Sequence, residues 1–142
     1  MNEREKHAAF LRGMQQFNSR EFWHAHESWE AIWLIAPEPD KTFLQGIIQI
    51  SAAFYHHQKD NLAGMRSLME RGLAKVEQFA AGYRGIQLEE LREAVRGWLA
   101  ADTRGAPLPG QYPRLRRTEK ETAAAKRKRA SRGRNRQRPN RR

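Results

Sequence analysis

Residues 22–33 read Phe22-Trp23-His24-Ala25-His26-Glu27-Ser28-Trp29-Glu30-Ala31-Ile32-Trp33. At about 100° per residue the aromatic positions of this stretch gather on one side of a helix. With His26 at zero, Trp33 falls at about −20°, Phe22 at about −40°, Trp29 at about −60° and Trp23 at about 60°. Glu30 falls about 40° from His26, so a histidine and a carboxylate stand inside the aromatic stripe. Glu27 is on its flank, while His24, Ser28 and Glu21 point away. Helical spacing of this kind, with no sustained period-2 alternation anywhere in the chain, sets the fold class as all-α.

The neighbouring segments extend the pattern. Helix one is expected from Glu3 to Gln16, with His7, Phe10, Leu11, Met14 and Phe17 on its apolar face. Asn18 with Glu21 predicts a capping box opening helix two, and Phe17 with Phe22 a hydrophobic staple. Ala36-Pro37-Glu38-Pro39 ends that helix. Helix three runs from Asp40 or Lys41 to Lys59, helix four from Leu62 to Ala81 and helix five from Gln87 to Ala101. Asn61 and Gly64 start helix four. Short connections between about five helices make a compact bundle over residues 1–103. The Trp residues read as core, and His57 as surface.

Charge divides the chain. Its 142 residues carry a formal net charge of +11. Residues 1–103 hold 12 Lys+Arg and 14 Asp+Glu, net −2, whereas residues 104–142 hold 15 and 2, net +13. Residues 104–113 are Pro-rich and suit an extended path across the bundle. Residues 114–142 read as a disordered Arg/Lys-rich tail, since the helix-prone stretch within them has no apolar face to bury. The absence of cysteine excludes disulfides and thiolate metal sites. No apolar run nears the roughly 18 residues of a membrane span, and Met1-Asn2-Glu3-Arg4-Glu5-Lys6 opens no signal peptide. A cytoplasmic protein without membrane insertion is expected.

Helix three repeats the oddity of helix two. With Gln49 at zero, Gln45 lies near −40° and His56 near −20°, flanked by the small residues Gly46, Ala52 and Ala53. Two polar stripes in apolar faces predict a shared network of His26, Glu30, Gln45, Gln49 and His56, because an unpartnered buried polar group costs a few kcal/mol. One reading of that network is purely structural. Another is a metal centre. His26-Glu27-x-x-Glu30 has the frame of the zincin helix motif, with Glu in place of the second His. His26, Glu30 and His56 then hold a divalent zinc, manganese or iron, and Glu27 acts as general base. Gln45 and Gln49 orient substrate. A metal-free ligand pocket is the third reading.

The same residues carry a family resemblance. Phe17-Asn18, Phe22-Trp23, Ala25-His26-Glu27-x-x-Glu30-x-x-Trp33, Phe43-Leu44-Gln45-Gly46-Ile47-Ile48-Gln49, His56 and Asn61-x-x-Gly64 resemble domain-of-unknown-function family 309, over roughly Glu3 to Pro109. The resemblance implies a small all-helical bundle. The label often given to such proteins, predicted metal-dependent hydrolase, implies a site at His26, Glu27, Glu30, Gln45, Gln49 and His56. The basic tail lies outside the family pattern.

In the tail, Lys126, Arg127, Lys128, Arg129, Arg132, Arg134, Arg136 and Arg138 are the candidate nucleic-acid contacts. Dense Arg neutralises phosphates and releases counterions. With no aromatic residue after Tyr112, base stacking rests on Arg alone and little sequence specificity is expected. An acidic protein, a membrane surface or no dedicated partner are the alternatives. Two functions of different class follow: a metal-dependent hydrolase, or a non-enzymatic binding module whose tail contacts RNA or DNA nonspecifically.

Overall fold

Asn2 starts the first helix. Its side chain accepts from the Glu5 backbone N–H at 2.8 Å, and Glu5 returns the contact to the Asn2 N–H at 3.4 Å. This capping box satisfies N–H groups that have no partner within the helix. The computed structural model describes residues 1–137, with side-chain surroundings through Arg132. Its helices are α1 (Glu3–Asn18), α2 (Phe22–Trp33), α3 (Asp40–Gln58), α4 (Leu62–Val76), α5 (Leu88–Arg104) and α6 (Glu119–Gln137), with a short 3-10 turn at Tyr83–Gly85. Among the described residues there is no strand, only an isolated bridge between Ile86 and Arg117. No helix among them is long and apolar enough to cross a membrane.

Each of the first five helices packs against its neighbour in sequence, α3 on α4 most extensively. Glycine allows that close crossing. A Cβ added at Gly72 would lie 2.8 Å from the Gly46 carbonyl oxygen, and one at Gly46 would lie 2.9 Å from Val76. The core is aromatic. Phe17, Phe22, Trp29, Phe43, Phe54 and Trp98 are fully buried. Each contributes roughly 1.5–3 kcal/mol by leaving water. Polar groups within this core find backbone partners: Trp29 Nε1 donates to Phe10 O at 3.1 Å, and the buried Ser51 Oγ donates to Phe22 O at 2.8 Å.

Several boundaries differ from the sequence reading. Asn18 does not cap α2. It ends α1, and Arg20 turns the chain at φ 64°, with Glu21 N–H returning to Gln16 O at 2.9 Å. The Asn18 amide instead grips a distant backbone: Oδ1 accepts from Leu115 N–H at 2.7 Å and Nδ2 donates to Leu115 O at 2.9 Å. The Phe17–Phe22 contact does form, edge to face at 5.0 Å. Helix α4 stops at Val76 rather than Ala81, where the buried Arg92 takes the last carbonyl of the helix and one just beyond it. Arg92 Nη1 donates to Val76 O and Phe79 O, both at 2.8 Å. That completes the helix C-terminus with a cation, the sign its dipole favours. Asn61 caps α4 as expected, accepting from Gly64 N–H at 3.0 Å.

Beyond Gly105, whose φ of 65° ends α5, residues 106–118 form a strap across the bundle. Tyr112 stacks on Trp98 at 5.5 Å and meets Phe22 and Phe54 edge-on. Leu115 is buried. The folded part therefore reaches Thr118, past the 114 boundary read from composition. Residues 119–137 are helical as α6, which begins in the stretch that the sequence marks as helix-prone. The start of α6 is held to the bundle by Thr118 N–H donating to Gly85 O at 2.8 Å and by Glu121 lying against Gly85, while Arg117 and Glu121 pair locally at 3.4 Å. Helix propensity and this anchored start account for a helix with no apolar face.

Candidate functional site

The buried face of α2 is Phe22, Ala25, Trp29 and Ile32. Its centre falls at about −80° on the scale where His26 is zero. The aromatic stripe of the sequence runs through the tryptophans, but Trp23 is exposed and Trp33 only half-buried. Small Ala25 and Ile32 mark the true inner face. Ser28, expected to point away, donates to Gln16 of α1 at 2.7 Å. His26 and Glu30 thus sit on the margin of the core rather than in its middle.

They do meet. His26 Nε2 lies 3.1 Å from Glu30 Oε2, with the histidine side chain 18% exposed and the glutamate 46%. The His26 ring packs against Trp23 at 4.7 Å, and Trp23 against Tyr55 of α3 at 5.0 Å. His26 Nδ1 is buried without a hydrogen-bond partner. Glu30 lines a small cleft of about 130 Å³ with Trp33, Gln45, Ile48 and Gln49. This is the part of the expected network that the structure gathers.

Gln49 is shared with α4, and His56 separates from the group. Gln49 Oε1 accepts from Lys75 Nζ of α4 at 2.9 Å, on the side of α3 where Gly46 lies against Gly72, Lys75 and Val76 of α4. His56 Nδ1 is engaged at 3.1 Å by the Asn61 amide at the start of α4. Glu27 is outward, its nearest basic group being His24 Nδ1 at 3.7 Å, and both side chains are more than half exposed. Among the described residues no three His, Asp or Glu side chains gather into a metal-holding group. His26 and Glu30 offer two adjacent ligands, and neither His56 nor Glu27 joins them. The residues present do not fit the expected metal centre.

His57 is not a surface residue. Its Nδ1 is 2.7 Å from the Tyr112 hydroxyl and its ring is 4.9 Å from Trp98, so it helps seat the strap. A second cleft, of about 260 Å³, went unread in the sequence. Lys6, His7, Asp40 and Arg84 are among its lining. Tyr83 donates to Asp40, and Arg84 Nη1 reaches Asp40 Oδ2 at 3.3 Å. Burial first, then the hydrogen bond to Asp40 and its negative charge, push the Tyr83 hydroxyl up to about 12. The only sequence signal was the Gly82–Gly85 turn, which says nothing about where Arg84 reaches.

At the C-terminus, Lys126, Arg127, Lys128, Arg129 and Arg132 are exposed on α6. Ion pairs recorded along this segment end at Arg117–Glu121. Arg134 and Arg136 belong to α6 but their side chains lie outside the described surroundings, and Arg138 lies outside the described residues.

Fold and site together define an all-α bundle with a small cleft on its α2–α3 face and a cationic helix beyond its strap. The family model described as Domain of unknown function (DUF309) matches residues 10–68, which bears out the resemblance seen in the motifs. That match runs from within α1 through the first half of α4. The Uncharacterized protein YpuF of Bacillus subtilis (strain 168) is 31% identical over 67 residues, 46% of this chain and 38% of that relative. The chain therefore spans under two fifths of the relative it matches. The strap and α6 lie outside the family match.

Proposed function

We propose that the protein is a non-enzymatic binding module that engages nucleic acid through α6. One observation carries this reading. After Glu121 no acidic residue occurs, and the exposed cations Lys126, Arg127, Lys128, Arg129 and Arg132 of α6 have no carboxylate partner among the described residues. Such a segment meets phosphate without first breaking an intramolecular ion pair. Each phosphate neutralised releases counterions, which supplies affinity without reading sequence. Arg adds bidentate phosphate contacts. The bundle's own charge is slightly negative, so attraction is confined to the C-terminal segment.

The test is the full chain with Arg127, Arg129 and Arg132 all changed to Gln. These side chains are exposed, so folding should be unaffected by circular dichroism. The expected result is a loss of affinity for a mixed-sequence nucleic acid of at least tenfold at near-physiological salt. Unchanged affinity would contradict the reading.

A further inference from the structure

We infer that α6 takes duplex DNA, lying in its major groove; this rests on the nucleic-acid reading above and narrows it to one class of partner. Three features of the helix lead there. The first is the angular spread of its cations. Lys126, Arg127, Lys128 and Arg129 step around the axis at about 100° each, and Arg132 returns between Lys128 and Arg129. No quarter of the helix lacks a positive charge. A helix lying against the outside of a duplex needs cations on one face only. A helix in a groove has phosphates along both walls, and a full ring of cations serves both.

The second feature is the shape of the helix. Its 19 residues span about 28 Å. Ala123, Ala124, Ala125 and Ala130 keep the cylinder thin between the long side chains. The major groove of B-form DNA, about 12 Å wide, admits an α-helix, whereas the A-form major groove of duplex RNA is deep and narrow. The third feature is composition. Single-strand binding draws on aromatic platforms for stacked bases, and no Phe, Tyr or Trp follows Tyr112.

The bundle fixes where the helix starts. The Asn18 grip on Leu115, the Ile86–Arg117 bridge and the Thr118 bond to Gly85 hold the residues before Glu119. The only acidic residues of α6, Glu119 and Glu121, are in its first turn beside the bundle. Charge therefore rises along the helix away from the bundle, so its outer part enters the groove.

The experiment is fluorescence anisotropy of the full chain with duplex DNA, single-stranded DNA and duplex RNA, each about 20 nucleotides per strand, at one salt concentration. A second chain carries Ala130→Pro, which keeps every charge but interrupts the helix. Duplex DNA should bind at least tenfold more tightly than either other probe, and Ala130→Pro should remove that preference while retaining weak binding. Equal affinity for single strands, or an Ala130→Pro chain that binds duplex DNA like the parent, overturns the groove assignment and leaves nucleic-acid binding standing. Preference for duplex RNA overturns it in favour of an A-form partner. Binding to none of the three overturns both this inference and the function it rests on.

Discussion

Gly13 sits in α1 under the indole of Trp29, and replacing it with Ala sets two effects against each other. A Cβ built at Gly13 would lie 2.1 Å from Trp29 Nε1 and 2.5 Å from both Cδ1 and Cε2. Ordinary carbon contacts are about 3.5–4.0 Å, so the ring would have to retreat by more than about 1 Å. It has little room. Trp29 is fully buried, its Nε1 is bound to Phe10 O at 3.1 Å, and Phe17 lies 6.1 Å away centre to centre. Overpacking costs about 1–3 kcal/mol, and a buried N–H pulled off its acceptor costs a similar amount. Against this, Ala gains about 1 kcal/mol over Gly in a helix interior. The net expectation is a destabilisation of about 1–5 kcal/mol. Gly97 in α5 supplies the control, since nothing lies within 4 Å of an added Cβ there. Gly97→Ala should stabilise by up to about 1 kcal/mol. Urea unfolding followed by tryptophan fluorescence measures both changes as shifts in midpoint at constant slope. Wild-type stability in Gly13→Ala, or equal losses in the two variants, would refute the packing argument.

Other consequences can be tested separately. Asn18→Ala removes both bonds to Leu115, and should cost about 1–2 kcal/mol and speed proteolysis within residues 106–118; an unchanged digestion pattern would show the strap is held elsewhere. Tyr83 keeps its proton longer in the folded chain than in the unfolded one, so stability should fall as pH rises from about 10 to about 12. Tyr83→Phe should flatten that alkaline limb, and an identical limb in the variant would contradict the Asp40 contact. Asp102 is held below the ordinary aspartate range by its hydrogen bond and ion pair with Arg66. Its contribution is complete above the unfolded carboxyl's pKa and is lost as pH falls through the lower folded one. Acid titration of Asp102→Asn should therefore show a shallower loss of stability, and a steeper one would contradict that sign.

Much of this architecture was legible in the residues because helices declare themselves by period. All five bundle helices appear in the chain where spacing placed them, with ends shifted by a few positions. The shifts have tertiary causes. Arg92 of α5 binds the last carbonyl of α4 and one in the turn after it, and Asn18 serves Leu115 rather than the helix beside it. Local reading cannot see partners 97 residues apart. The candidate site was partly legible. The pairing of His26 with Glu30 at i,i+4 follows from helix geometry alone. Which way that pair faces does not, because bulky Trp23 and Trp33 pulled the expected core toward themselves while Ala25 and Ile32 did the packing. His56 was placed with Gln49 by azimuth, but Asn61 engages it at the end of the helix. The strap's fit against Trp98 and His57 depends on where Tyr112 lands, which no periodic signal encodes.

The central claim is that the cationic helix, and not the cleft on the bundle, is what meets a macromolecular partner. The most direct measurement is the salt dependence of duplex DNA binding by the full chain. If the five exposed cations Lys126, Arg127, Lys128, Arg129 and Arg132 each neutralise a phosphate, log K against log salt should fall with a slope of about −4.5. The triple variant Arg127→Gln, Arg129→Gln, Arg132→Gln should reduce it to about −2. A slope near zero, or one the triple variant leaves unchanged, would contradict the account.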